Sequence, residues 1–229
     1  AVADCGANTV KFQTHIAKAE TLRDAPNPEY FKDESRYDYF ERTSFTLNQW
    51  KKLKKCAEDL GLLFLSSPFS LEAVDLLEEI DIYAYKIPSG EVTNLPLLEK
   101  IAKTGKKVYL STGMSNWSEI DKAIETFKNN SELVLMQCSS IYPCPIEKVG
   151  LNVIEDMIKK YKLSIGFSDH TLGHVASIAS IISGAVVVEK HFTFSNLMYG
   201  SDTKHGMEPK EFKSFCKDLN DAYKIKNNP

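Results

Sequence analysis

The sequence of 229 residues has little net charge, few cysteines and no long apolar run. Its 28 basic and 31 acidic residues give a formal charge of −3, which argues against nucleic acid or an anionic membrane as partner. The longest apolar stretches, such as 178–188, are interrupted by serine and glycine, and they fall short of the roughly 20 residues that a membrane helix requires. The opening residues lack the pattern of a secretory leader. We therefore expect a soluble protein that binds neither nucleic acid nor membrane.

The cysteines lack the arrangement that a disulfide framework or a structural zinc cluster requires. There are five of them, an odd number, and no two form a Cys-x-x-Cys pair. Reduced thiols are typical of the cytoplasm, so we expect a cytoplasmic protein. Cys138 is expected to be a small core residue with no base beside it.

Seven short runs rich in β-branched or aromatic residues predict strands, and helical patterns lie between most of them. The runs are 9–13, 62–66, 83–87, 107–111, 133–138, 163–167 and 185–190. Thr46 with Gln49, and Asn116 with Glu119, have the spacing of a capping box and predict where two of the helices begin. From residue 62 onward the strand starts are 21, 24, 26, 30 and 22 residues apart, which favours a repeated strand-helix unit and a parallel sheet.

Polar groups at the ends of nearly all these strands favour a barrel over an open sheet. In a (β/α)8 barrel the chemistry is spread over many strand ends, whereas an open sheet concentrates it at one switch point. Neither a Gly-x-Gly-x-x-Gly loop nor a P-loop is present. We expect an α/β fold of the TIM-barrel type, forming one catalytic domain over 1–229 and lacking its first strand in this chain. The polar segment 16–45 is expected to be a loop over the mouth.

Two histidines follow neighbouring predicted strands, His170 after the sixth run and His191 after the seventh. Adjacent strand ends of a barrel can aim two imidazoles at one point, where they would bind a divalent metal with open positions. A single histidine in such a position more often bonds a loop carbonyl. The pair together favours a metal site.

Two lysines, Lys11 and Lys86, lie in apolar strands, where an ammonium group is costly unless an anion or a carboxylate compensates it. An anionic substrate would do so, with hydroxyl donors from the strand-end serines Ser67, Ser89, Ser111 and Ser168. A Schiff base on Lys86, as in class I aldolases, is the rival mechanism. Glu91 and Glu189 are candidate acids or bases, although Glu189 can instead neutralise a neighbouring lysine.

Seven segments, in order along the chain, resemble the sialic acid synthase family. They are VKFQT (10–14), FLSSPF (64–69), YKIPSGE (85–91), LSTGM (110–114), IYP (141–143), GFSDHTLG (166–173) and EKHFT (189–193). The resemblance implies a barrel that condenses phosphoenolpyruvate with an N-acetylated amino sugar, N-acetylmannosamine or a relative. The products are a nine-carbon 3-deoxy-2-keto acid such as N-acetylneuraminate and phosphate. A divalent cation, Mn²⁺ or Mg²⁺, is implied as cofactor, and a homodimer as the assembly of the full-length protein.

The resemblance also implies a role for each candidate residue. His170 and His191 would be metal ligands, and Glu91 and Glu189 the active-site carboxylates. The phosphoenolpyruvate cradle would consist of Lys11, Ser67, Lys86, Ser89, Ser111 and Ser168, and the sugar contacts of Gln13, Tyr142 and Asp202. The sequence departs from the family pattern in three places: the first strand with its glutamate, the small C-terminal antifreeze-like domain, and the loop 195–202. A non-catalytic barrel used for binding or assembly is the alternative from another class.

Overall fold

The computed structural model describes residues 1–27, 34–128, 132–200 and 202–228, and in them seven parallel strands form one sheet in chain order. The strands are β1 Thr9–Thr14, β2 Leu63–Pro68, β3 Ala84–Ile87, β4 Lys107–Ser111, β5 Leu133–Cys138, β6 Ser164–Asp169 and β7 Val188–Lys190. Each strand pairs with the next one in parallel. The predicted α/β class and the parallel order of the strands are confirmed.

Helices connect the strands and cover the outer face of the sheet. They are α1 Ala17–Glu20, α2 Arg36–Thr43, α3 Leu47–Asp59, α4 Leu71–Glu79, α5 Leu95–Ala102, α6 Trp117–Phe127, α7 Asn152–Tyr161, α8 Val175–Ile182 and α9 Pro209–Asn227. Both predicted capping boxes are present, Thr46 with Gln49 before α3 and Asn116 with Glu119 before α6. No described helix is both long enough and apolar enough to cross a membrane.

Two sequence-based expectations need correction. The segment 16–45 is not simply a loop, because it contains α1 and α2, and the hydroxyl of Ser35 caps α2 by accepting a hydrogen bond from the Asp38 amide at 3.0 Å. Residues 28–33 of that segment lie outside the described residues. The last strand is three residues long and begins at Val188, so the predicted run 185–190 is too long by three residues.

The sheet is so strongly curved that side chains of its two edge strands, β1 and β7, are in contact. Nζ of Lys11 on β1 lies 3.4 Å from Oε1 of Glu189 on β7. Side chains alternate between the two faces of each strand. On β1, Lys11 faces the inside of the curve, whereas Phe12 faces the helices and stacks on Phe64 with ring centroids 5.3 Å apart. The same alternation continues around the sheet: the polar side chains of the site face inside, and most of the strand side chains that face the helices are apolar.

The apolar core lies between the sheet and the helices. Phe64, Tyr85, Leu98, Phe127 and Phe167 are at most 1% exposed and belong to one large cluster. A smaller cluster under α9 contains Cys5, Met207, Phe212, Phe215 and Cys216. Because this layer holds the strands rigidly, it positions the side chains at their carboxyl ends.

Candidate active site

Charged and hydroxyl side chains converge at the carboxyl ends of the strands. Oε1 of Glu189 lies at the centre, 3.4 Å from Nζ of Lys11 and 3.7 Å from Nζ of Lys86. The Ser168 hydroxyl donates a hydrogen bond to the same oxygen at 3.0 Å, and Lys86 donates to Oγ of Ser111 at 2.8 Å. β1, β3, β4, β6 and β7 thus contribute to one polar cluster. Such a cluster can hold a small anion.

The charged groups of this cluster shift one another's pKa values. Burial lowers the pKa of the Lys86 ammonium, and the carboxylate of Glu189 opposes that shift. Burial by itself would raise the pKa of Glu189, but Lys11 and Lys86 outweigh it and hold the pKa of this carboxyl well below its usual range. Glu189 is therefore an anion at neutral pH. The structure shows it neutralising the lysines, which is one of the two roles that the sequence leaves open for it.

His170 and His191 lie beside this cluster with ring centroids 5.6 Å apart. Nδ1 of His170 donates to the Ser139 carbonyl at 2.8 Å, and Nδ1 of His191 lies 3.8 Å from Oδ2 of Asp202. Burial lowers the pKa of His191 to about 4, although Asp202 opposes the shift, so this ring is neutral at pH 7. The Nε2 atoms make no hydrogen bond with any described residue. In the neutral form of His170, whose Nδ1–H donates to the Ser139 carbonyl, the lone pair is at Nε2.

These two rings fit an open metal site. Within the described residues, no group of three or more histidine, cysteine, aspartate or glutamate side chains is placed to share one ion. Among the described residues, the protein ligands of such a site would be His170 and His191, and the remaining positions would be open to water or substrate oxygens.

The ring of Tyr142 lies against the histidine pair at the mouth. The ring of Tyr142 lies 4.0 Å from that of His170, 6.0 Å from that of His191 and 6.4 Å from that of His205. Tyr142 is 48% exposed, and the side chain of Asp202 is 52% exposed. Both therefore face solvent at the mouth, where a second substrate can reach them beside His191. His205 is a third histidine of the mouth, which the strand pattern does not predict because it lies in a short 3-10 helix, Thr203–His205, rather than at the end of a strand.

The remaining serines differ in how they are bonded. Oγ of Ser67 is buried and has no hydrogen-bond partner, so it is available to a ligand. Oγ of Ser89 accepts a hydrogen bond from the Gly113 amide at 3.0 Å and so joins the loops after β3 and β4.

Glycine is required at position 113 because the loops after β4 and β5 approach closely. A Cβ atom at 113 would lie 2.5 Å from the carbonyl oxygen of Cys138 and 2.8 Å from Oγ of Ser140. Gly113→Ala is therefore expected to lower the free energy of unfolding by about 1–3 kcal/mol, as overpacking does. Urea denaturation measures the change. Gly90→Ala is the control, since a Cβ at 90 has no atom within 4 Å, and equal stability of the two variants would contradict the prediction.

Two predicted site residues make hydrogen bonds outside the lysine and histidine cluster. Oε2 of Glu91 accepts from the amide of Asn94, the cap of α5, at 2.8 Å. Oε1 of Gln13 lies 3.4 Å from Nε2 of His15. Nδ1 of His15 in turn lies 2.7 Å from Oε1 of Glu20, whose side chain is 4% exposed. Gln13 itself is exposed at the mouth.

Sequence reasoning missed two features of the site. The expectation that Cys138 has no base beside it is wrong, because its Sγ lies 3.8 Å from Nδ1 of His170. Asp169 and Lys190 form a buried ion pair, with Oδ2 and Nζ 2.9 Å apart. The sequence does contain a signal for this ion pair, because an acidic residue immediately precedes one strand-end histidine and a basic residue immediately precedes the other.

Comparison with known proteins agrees with the motifs. The NeuB family profile matches residues 1–228. The chain is 40% identical to N,N'-diacetyllegionaminic acid synthase of Campylobacter jejuni, over 97% of this chain and 69% of that protein. It is 32% identical to human N-acetylneuraminate-9-phosphate synthase, over 94% of this chain and 62% of that protein. The chain thus spans about two thirds of the length of these curated relatives.

A solved structure shows the same fold. The N-acetylneuraminic acid (sialic acid) synthetase of Leptospira borgpetersenii, crystallised with citrate, matches with a TM-score of 0.88 at 30% identity. The match covers 99% of this chain and 77% of that chain. Since the family profile extends over nearly the whole chain and the relatives exceed 30% identity, the chain belongs to the NeuB family, the sialic acid synthase family that its motifs predict.

Proposed function

We propose that this chain is the catalytic barrel of an enzyme that condenses phosphoenolpyruvate with an N-acetylated amino sugar, N-acetylmannosamine or a relative. The products would be a nine-carbon 3-deoxy-2-keto acid, such as N-acetylneuraminate, and phosphate. The observation that carries the proposal is the convergence of Lys11, Lys86 and an unpartnered Ser67 hydroxyl beside the pair His170 and His191. An anion and an aldehyde can therefore be held side by side at the strand ends.

The lysines would hold the phosphate and carboxylate of phosphoenolpyruvate. Lys86 is 3% exposed and Ser111 is 1% exposed, so their contacts to an anion would be little screened by water. C3 of phosphoenolpyruvate attacks the open-chain aldehyde, water adds at C2, and phosphate leaves by C–O cleavage. Glu189, an anion at neutral pH, would compensate the two lysines until the substrate anion binds.

His170 and His191 would hold the divalent cation, Mn²⁺ or Mg²⁺. Bound between them, the cation would supply a Lewis acid for the aldehyde oxygen of the sugar. Tyr142, Gln13 and Asp202 line the mouth and would contact the sugar. The proposed partners are small molecules, with a homodimer of the cytoplasmic full-length protein as the assembly.

We further propose that β1 to β7 are seven strands of an eight-stranded barrel. β1 and β7 are the two edges of the described sheet, and they share no backbone ladder although Lys11 and Glu189 are in contact. One strand inserted between them would close the sheet and bring a further side chain to the same mouth.

The function is tested by phosphate release. The full-length protein is incubated with phosphoenolpyruvate, Mn²⁺ and a panel of hexosamines, with and without EDTA. We expect release that depends on one N-acetylated hexosamine and stops with chelator. No release with any sugar, from well-folded protein, would favour a barrel that only binds or assembles.

A Schiff-base aldolase is the second candidate, because burial lowers the pKa of Lys86 as that chemistry requires. Borohydride treatment with pyruvate or a keto acid discriminates the two functions. A covalent adduct on Lys86 found by mass spectrometry would support the aldolase, and we expect none.

Glu189→Gln tests whether this carboxylate competes with the substrate anion. The variant keeps the shape of the side chain but removes the negative charge from between Lys11 and Lys86. We expect inorganic phosphate to bind about tenfold more tightly, equivalent to about 1.4 kcal/mol, while phosphoenolpyruvate turnover falls. Isothermal titration calorimetry with phosphate measures the affinity. Glu155→Gln, on the exposed face of α7, is the control, and weaker phosphate binding by Glu189→Gln would contradict the prediction.

A further inference from the structure

The two strand-end histidines are each preceded by one member of a buried ion pair. Asp169 precedes His170 at the end of β6, and Lys190 precedes His191 at the end of β7. Their side chains are 0% and 4% exposed, and Oδ2 and Nζ lie 2.9 Å apart. Because side chains alternate along a strand, this pair faces the helices while both histidines face the mouth. The pair therefore lies on the opposite face of the strands from the proposed metal site.

Further hydrogen bonds of the pair hold the backbone immediately after His170. Oδ1 of Asp169 accepts from the Thr171 amide at 2.8 Å, and Lys190 donates to the Thr171 carbonyl at 2.6 Å. The hydroxyl of Ser177 on α8 donates to Oδ2 of Asp169. Nζ of Lys190 also lies 5.9 Å from the ring centre of Phe215 on α9. Two helices and both strand ends thus meet at this ion pair.

The pairing of β7 with β6 is short, and beyond it the Met207 amide donates to the His191 carbonyl at 2.8 Å. β6 and β7 share three Cα pairs, Phe167 with Val188, Ser168 with Glu189, and Asp169 with Lys190. A slip of two residues would preserve which side chains face the mouth, but it would move His191 by roughly 6.6 Å along the strand. That displacement exceeds the 5.6 Å that now separates the rings of His170 and His191.

Buried ion pairs add little to stability compared with apolar residues of similar size, because both charges lose their hydration. Their best-attested role is to specify one register among several. We propose that Asp169 and Lys190 are positioning residues that set the register of β7 on β6 and so hold His170 and His191 at the spacing needed to share one divalent cation. This inference rests on the proposed function, since it assumes that the two histidines bind the cation.

Mn²⁺ binding by the full-length protein, measured by electron paramagnetic resonance without substrates, tests the inference. Lys190→Met is expected to weaken Mn²⁺ binding by about 10- to 100-fold, the range for lost support of a metal ligand, because His191 would no longer be held at its present spacing from His170. The double variant Asp169→Leu with Lys190→Met removes both charges. It is expected to unfold slightly below the wild-type midpoint, because the Thr171 amide and the Ser177 hydroxyl lose their acceptor, yet to lose Mn²⁺ affinity as the single variant does. Lys190→Arg can still donate to Asp169 and to the Thr171 carbonyl, and is expected to retain most of the affinity.

A matched control is the exposed ion pair of Lys160 and Asp121, with Nζ and Oδ1 2.7 Å apart. Lys160→Met should leave Mn²⁺ affinity unchanged. Wild-type affinity in the double variant would overturn the inference while leaving the metal site in place. Failure of the wild-type protein to bind Mn²⁺ would instead overturn the metal part of the proposed function, and the inference with it. If Lys190→Met fails to fold, the double variant and Lys190→Arg still decide between these outcomes.

Discussion

Replacing His170 with alanine is expected to lower the rate of phosphate release by at least about 100- to 1,000-fold, the range seen when one group that stabilises developing charge is removed. The ring is 8% exposed and its Nδ1 is bound to the Ser139 carbonyl, so Nε2 is the atom left for a cation. Alanine removes that ligand, and only His191 remains. Phosphate release at saturating phosphoenolpyruvate and sugar measures the loss, and Mn²⁺ affinity should fall in parallel.

His174→Ala is the matched control for this prediction. His174 is also close in sequence to β6, but it lies at the start of α8, with Nδ1 2.7 Å from Oδ2 of Asp218. We expect His174→Ala to retain activity because its ring contacts α9 rather than the mouth. Turnover by His170→Ala at the wild-type rate, in the presence of EDTA, would rule out the proposed metal site.

Lys86→Met is expected to produce the second large loss. Removing one member of a buried charge cluster typically costs about 3–5 kcal/mol, because the partner charge is left uncompensated. Expressed as lost binding free energy of the substrate anion, this amount corresponds to a drop in kcat/KM for phosphoenolpyruvate of roughly 150- to 5,000-fold. The reason is that Ser111 loses its donor and the substrate anion keeps only Lys11. Initial rates at varied phosphoenolpyruvate measure kcat/KM.

The control for Lys86→Met is Lys106→Met. Lys106 precedes β4 at the opposite end of the sheet, where its Nζ donates to Asp81 and to the Ile82 carbonyl. This variant tests the effect of losing a lysine far from the mouth, and we expect its kcat/KM to be close to that of the wild type. A Lys86→Met enzyme with unchanged kcat/KM would show that the substrate anion binds elsewhere.

Secondary structure was predicted well where local signals act over a few residues. The capping boxes at Thr46 and Asn116 specify helix starts through hydrogen bonds within one turn, so the sequence reveals them directly. Prediction failed in the segment 16–45, where α2 depends on its cap at Ser35 and on aromatic contacts such as that of Phe40 with His15. The start of β7 was also predicted three residues too early, since the length of a strand depends on its pairing with the neighbouring strand.

Contacts within the site were harder to predict than its residue types. The strand-end position of His170 and His191 indicated a shared point, and their rings do lie together. The sequence could not show that Cys138 lies beside His170, or that Asp169 pairs with Lys190 behind the histidines. These partners are 32 and 21 residues apart in the chain. Their pairing depends on strand register and on which face of the strand each residue occupies.

The sequence by itself determined the order of strands and helices, the family, and the set of polar residues at the strand ends, because periodicity, capping and short motifs are local properties. The tertiary structure alone decided that Glu189 neutralises both Lys11 and Lys86, and that one buried ion pair lies behind both histidines. Charges interact according to distance and burial, and both quantities arise only when strands distant in the chain curve into one sheet.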